Sequence, residues 1–217
     1  MGSINTPRFN TQSILAAETR EICALEILSR RLPNFDDEVE MLELDIAALE
    51  HAAFLADRTG LRIHCNMEYS SLILAPWRRL RDHIRPGVVI ELVERNELLM
   101  SQDIFTWMQE IVGRVRRNGG AIAIDDVSPN ALELNVIKAF RPEIIKVCSR
   151  DGLLGVRDAT GARLIIAERI ESREHAELAR ELGAHEIQGY WCDRIAGHRL
   201  GQLALPQADT HPVWVPA

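Results

Sequence analysis

One short stretch limits the fold more than any other: Gly119-Gly120, then Ala121-Ile122-Ala123-Ile124, then Asp125-Asp126. Small and branched apolar residues bounded by turn residues and charges read as a strand buried on both faces. Two carboxylates at the end of such a strand sit at the rim of a sheet or barrel, and they repel each other unless a cation or a shared proton intervenes. Hard divalent cations take oxygen ligands, which makes a metal site the economical reading. The bland alternative has one Asp capping the next helix and the other solvated.

The rest of the chain repeats that theme. Residues 11–16 and 22–28 read as two strands joined by a polar turn at Glu18–Arg20, the second carrying Glu26. Asp36 to Asp57 has apolar residues at helical spacing, with acids crowding its first turns, where a helix favours anions. Strands are then expected at 61–66, 88–94, 121–126, 143–147, 164–168 and 185–190. Helices are expected at 72–84, 104–117, 132–140 and 172–182. Strand and helix in alternation imply parallel strands with crossover helices, and seven or so such strands favour a closed barrel.

On that reading Glu26, Asn66, Glu91, Asp125, Asp126, Lys146, Glu168 and Gln188 all lie in or at the end of strands. One polar residue in a buried strand is noise, whereas one on each successive strand is a ring around a shared site. A buried ring of carboxylates is costly without cations to compensate it. A phosphoacceptor receiver domain also joins an acidic pair to a lysine on a parallel sheet. There the pair closes the first strand, and here three or four strands precede it.

Composition excludes other classes. At 217 residues and 47% apolar content the chain can bury a sizeable core. No window of about 18 residues is free of charge and apolar throughout, so no membrane span is expected. Residues 1–10 lack the basic start and apolar middle of a secretion signal. Cys23, Cys65, Cys148 and Cys192 show no metal-ligand spacing and read as thiols of a reducing cytoplasm. A net charge of −7 argues against a general nucleic-acid surface. His64 reads as a barrel-wall or helix-packing residue, since no His pair has ligand spacing, and Trp77 and Trp107 as packing. The run Arg78, Arg79, Arg81, Arg85 reads as a solvated helix face, or as a partner-docking surface if activity is absent. Residues 1–9 and 206–217 read as tails around a domain of 10–205.

In order along the chain, seven short motifs resemble those of the EAL domain family, the cyclic di-GMP phosphodiesterases of bacterial signalling. They are Glu26-Ile27-Leu28-Ser29-Arg30, Asn66-Met67-Glu68, Glu91-Leu92-Val93-Glu94, Asp125-Asp126-Val127, Lys146-Val147-Cys148, Ala167-Glu168-Arg169 and the intact Gln188-Gly189-Tyr190. The resemblance implies a compact α/β barrel of TIM-like, EAL type. It implies two divalent cations, Mg²⁺ or Mn²⁺, the first held by Glu26, Asn66, Glu91 and Asp125. The second is held by Asp125, Asp126 and Glu168. It further implies catalytic roles for Lys146, Glu168 and Gln188, substrate contacts from Arg30, Gln12 and Trp191, and a loop anchor at Glu94. The implied reaction is two-metal hydrolysis of cyclic di-GMP to pGpG in the cytoplasm, by a monomer or weak homodimer, with no nucleic-acid polymer or membrane as partner.

Where the family has Phe and two glycines after the acidic pair, this chain has Val127-Ser128-Pro129-Asn130. Cys148 replaces an aspartate and Arg169 replaces a glycine. The 146–168 segment reads as short by a helix, and the region between Arg30 and Asn66 lacks the family's small lobe. These departures keep an alternative open: a catalytically inactive EAL protein serving as a cyclic di-GMP receptor or binding a regulatory protein such as a transcription factor.

Overall fold

Apolar runs of four to eight residues, each ended by a turn and followed by an amphipathic segment, have a closed solution available to them, and the chain adopts it. A computed structural model describes residues 9–30, 37–93, 101–128, 130–160 and 164–200. Eight strands close a barrel in chain order: β1 (Phe9–Ala16), β2 (Ile22–Ser29), β3 (Arg62–Met67), β4 (Val88–Leu92), β5 (Ala121–Ile124), β6 (Ile144–Val147), β7 (Leu164–Ala167) and β8 (Glu186–Gln188). The strands from β2 to β8 pair in parallel, while β1 runs antiparallel to both its neighbours. Gln12 thus sits opposite Glu26, and Ile14 opposite Gln188.

The two-residue period of the strands sorts side chains between two cores. One set packs outward under the helices, with Leu25, Ile63, Ile90, Ile122, Ile145 and Ile187 among its buried members. The other fills the barrel with one apolar layer, Ile14, Ala24, Val89, Ala123, Ile144 and Ile166. Two residues further along β2, β4, β5, β6 and β7, and two residues earlier on the antiparallel β1, that layer gives way to the polar side chains of the site. Below it, Arg62 reaches Glu186 across the barrel.

The helices are α1 (Glu38–Thr59), α2 (Tyr69–Leu74), α3 (Trp77–Arg81), α4 (Gln102–Arg117), α5 (Ala131–Phe140), α6 (Arg150–Thr160), α7 (Arg173–Glu181) and α8 (Tyr190–Leu200). Asp37 caps α1 by accepting from the amides of Val39 and Glu40, and Gly60 ends it at φ +69°. The single helix expected over 72–84 is instead two, because Ala75 before Pro76 is held extended at ψ 127°. Arg79 and Arg85 on this stretch pair with Glu43 and Asp57 as exposed ion pairs.

Two helices were not expected. α6 fills the 146–168 segment that reads as lacking one, its pattern blurred by Gly152 and Gly155. α8 begins at Tyr190, so Tyr190, expected to end the last strand, is helical rather than extended. Trp107 is half exposed, not packed as expected, whereas Trp77 packs on the core beneath the Arg114 guanidinium. Glu94, Pro129 and residues 1–8 and 206–217 of the two tails lie outside the described residues, while Phe9, expected in the first tail, opens β1.

Candidate active site

The strand ends bring the predicted ring together, and a lysine is at its centre. Lys146 Nζ lies 3.1 Å from Glu26 Oε2, 3.0 Å from Glu91 Oε2, 3.2 Å from Asp125 Oδ1 and 3.0 Å from Glu168 Oε1. Glu26 is held from two more sides: Asn66 Nδ2 donates to its Oε1 at 2.7 Å, and Gln188 Nε2 donates to its Oε2. Gln188 also donates to Gln12 Oε1 at 2.9 Å. Glu26, Glu91, Lys146 and Gln188 are buried, while Asp125 and Glu168 face the opening.

Asp126 takes a left-handed turn at φ +48° and lies 3.5 Å from Arg169, itself at φ +56°. The divergent loop then folds in its own way. Val127 turns into the core and its amide donates to Lys146 O at 2.9 Å, Asn130 caps α5 by accepting from the Glu133 amide at 3.0 Å, and the Glu133 carboxylate accepts from the Ser128 amide. Arg30 donates through Nε to Asn10 at the same end of the barrel. Trp191 lies elsewhere, with the Arg20 guanidinium of the β1–β2 turn over its ring at 5.7 Å.

Two contributors were missed from the sequence. His64 is fully buried with Nδ1 2.6 Å from Glu91 Oε1, where a barrel-wall residue was expected. Its position two residues before Asn66 on one strand was the available signal. Asp193 of α8 accepts from Gln12 Nε2 at 3.0 Å and from the Ser13 amide at 2.9 Å, which locks the Gln12 side chain against Gln188. Nothing local marked it, since α8 itself was not expected.

The electrostatics are those of four acids sharing one base. Burial pushes Glu26 up, but the Lys146 charge and the bonds from Gln188, Asn66 and Lys146 outweigh it and hold Glu26 at about 2. Burial, reinforced by Glu26, raises Glu91 well above the usual carboxylate range, and burial raises Asp125 against the pull of Lys146. Burial, partly offset by Lys146, lifts Glu168 to about 8. Burial works against the charge on Lys146, yet Glu26, Glu91, Glu168 and Asp125 together keep it an ammonium. Burial and the Lys146 charge bring His64 down to about 3, so its imidazole is neutral. Burial and Asp126 push the Cys148 thiol up to about 11.

As these side chains stand, no three His, Cys, Asp or Glu among the described residues are grouped to hold a metal ion. The carboxylates converge on Lys146 instead. In donor chemistry the set nonetheless fits hard cations. It offers five carboxylates and an amide, all through oxygen, and a single ammonium leaves it short of positive charge. Asp125 Oδ1 and Asp126 Oδ1 are buried without a hydrogen bond among the described residues, Lys146 being within ion-pair range of Asp125 but off the hydrogen-bond direction. Glu26, Asn66, Glu91 and Asp125 would hold one ion, and Asp125, Asp126 and Glu168 a second.

No protein-family model matches the chain, and no curated protein matches it. Solved structures do. The calcium and cyclic di-GMP complex of Klebsiella pneumoniae BlrP1 superposes with a TM-score of 0.66 at 21% identity, over 86% of this chain and 55% of that one. Bacillus subtilis YkuI, with an EAL domain in complex with cyclic di-GMP and calcium, gives 0.70 at 19% identity over 93% and 60%. An EAL domain protein from Listeria monocytogenes gives 0.71 at 18% identity over 89% and 92%. The chain thus spans little more than half the length of BlrP1 and nearly all of the Listeria protein. The closed eight-stranded barrel is the fold of the EAL domains.

Proposed function

We propose that the chain is a cyclic di-GMP phosphodiesterase of the EAL family that works with two divalent cations in the cytoplasm. The observation that carries the reading is the convergence of Glu26, Glu91, Asp125 and Glu168 on Lys146 at 3.0–3.2 Å, with Asn66 and Gln188 bonded to Glu26. Structures of the same fold are complexes with cyclic di-GMP and calcium or manganese, which supports both the ligand and the cations.

Bound cations supply the charge that neutralises the cluster and the Lewis acidity that makes hydroxide available near neutral pH. The chain's own residues do the rest. Lys146, kept as an ammonium by its four carboxylates, cannot serve as a base and places positive charge beside the attacking oxygen. Gln188 is held between Gln12 and Glu26, and Gln12 by Asp193, so the wall of the site opposite Glu91 is fixed before substrate arrives. Arg30, steadied by Asn10, is the guanidinium for a phosphate oxygen. Water adds to phosphorus, one phosphodiester P–O bond breaks, the departing oxygen takes up the proton, and the ring opens to pGpG.

A second reading is favoured by a specific observation: Lys146 and Arg169 already occupy the carboxylates. The chain would then be a receptor for cyclic di-GMP, or would bind a regulatory protein. Incubation of the purified chain with cyclic di-GMP and Mn²⁺, followed by chromatography, separates these. The enzyme reading expects pGpG, lost with EDTA and in Glu26→Gln. Nucleotide binding without pGpG at high protein concentration leaves the receptor, and no binding leaves the protein-binding role.

A further inference from the structure

Glu26 is gripped on one oxygen by Asn66 of the neighbouring β3 and on the other by Gln188 of β8 and Lys146 of β6, but Glu91 is not placed the same way. One of its oxygens faces Lys146 at 3.0 Å, and the other lies toward His64, which is in register with Val89 of the apolar layer. It meets His64 Nδ1 at 2.6 Å, a contact between two side chains that are both wholly shielded from solvent. We propose that His64 is the positioning residue of the site: its Nδ1–H pins one oxygen of Glu91 from below, so that the other is presented upward to a divalent cation.

The inference rests on reading the site as a cation centre, and three features of the chain argue for it. His64 and Asn66 share one face of β3, and Asn66 sits beside Glu91 in the register of β3 on β4. One strand face therefore serves both carboxylates: Asn66 restrains Glu26 and His64 restrains Glu91. Second, His64 Nε2 is buried without a hydrogen-bond partner among the described residues. An aliphatic side chain would fill the position without stranding a polar atom, so packing alone does not account for an imidazole here. Third, a buried carboxylate with one oxygen tied has a single oxygen left to offer, and such outer contacts set the orientation of metal ligands.

The test uses Mn²⁺ alone, titrated calorimetrically into the native chain and three variants whose folding is checked by thermal melting. In His64→Asn the amide nitrogen takes the place of Nδ1, and Mn²⁺ affinity stays within about threefold of native. In His64→Gln the amide is carried past Glu91 to the place of Nε2, and in His64→Leu no donor remains. Both are expected to bind Mn²⁺ about 10- to 100-fold more weakly, the range typical for outer-shell partners. Equal affinity of the Asn and Gln variants, or native affinity in His64→Leu, overturns the positioning role while leaving the cation centre standing. Absence of Mn²⁺ binding by the native chain overturns both together. The Asn and Gln pair decides the matter even if the Leu variant does not fold.

Discussion

Four carboxylates around one ammonium are an unequal match, and Lys146 is what lets the ring exist at all. Removing one partner from a buried ion cluster costs about 3–5 kcal/mol. Lys146→Met is therefore expected to lower the melting temperature strongly, and Mn²⁺ to restore more stability to the variant than it adds to the native chain. A melt of both proteins with and without Mn²⁺ checks this, and an equal shift in both would show that the cation does not bind among these acids. Arg169 carries a different tension, since it sits at φ +56° with an exposed, long contact to Asp126. A non-glycine residue in that region costs about 1–2 kcal/mol, and an exposed pair returns about 0–1 kcal/mol. Arg169→Gly should thus gain about 1 kcal/mol in urea unfolding, with no gain meaning that the pair is stronger than its exposure suggests. Most of the ring was legible because an acid inside an apolar run is conspicuous. His64 was not, since a lone histidine on a strand looks like packing until Glu91, two residues beyond its register partner Val89 on β4, is brought against it.

At the scale of elements, Asp45 holds α1 to the start of α2 by accepting from the Glu68 amide at 3.0 Å. Burial raises its pKa from 3.8 to about 6 against the bond from the Glu68 amide. The folded chain therefore prefers Asp45 neutral. Its contribution is fully present below pH 3.8 and is lost as pH rises through 6, about 3 kcal/mol at most for a rise from 3.8 to about 6. Asp45→Asn keeps an acceptor and removes the charge, so its stability relative to native should grow between pH 4 and 7; a constant difference would refute the assignment. Gly189 between β8 and α8 is tighter still. A Cβ there would fall 2.4 Å from the Ile170 amide nitrogen, at φ +149°. Gly189→Ala should abolish soluble expression or cooperative melting, and a normal melt would show that the β8–α8 corner can yield. Caps and proline were readable as element boundaries, although Pro76 was not given its full weight. α6 was hidden by its two glycines, and α8 by the reading of Tyr190 as the end of the last strand.

For the molecule as a whole, the barrel followed from the alternation of strands with helices, because parallel neighbours need crossovers that cover both faces of a sheet. Cyclic di-GMP with Mn²⁺ at about 100 times its dissociation constant should stabilise the native chain by about 2.7 kcal/mol, and a melt with nucleotide but no cation should shift less. Identical shifts would mean that the nucleotide binds away from the carboxylate ring. The reversed direction of β1, which pairs with both β2 and β8, has a consequence for synthesis. The first hairpin leaves the ribosome with one flank unbonded and must wait until residue 188 has emerged before that flank finds its mate. Throughout that interval the nascent chain carries an open seam, and the last ring residue to be made, Gln188, is also the one that shuts it.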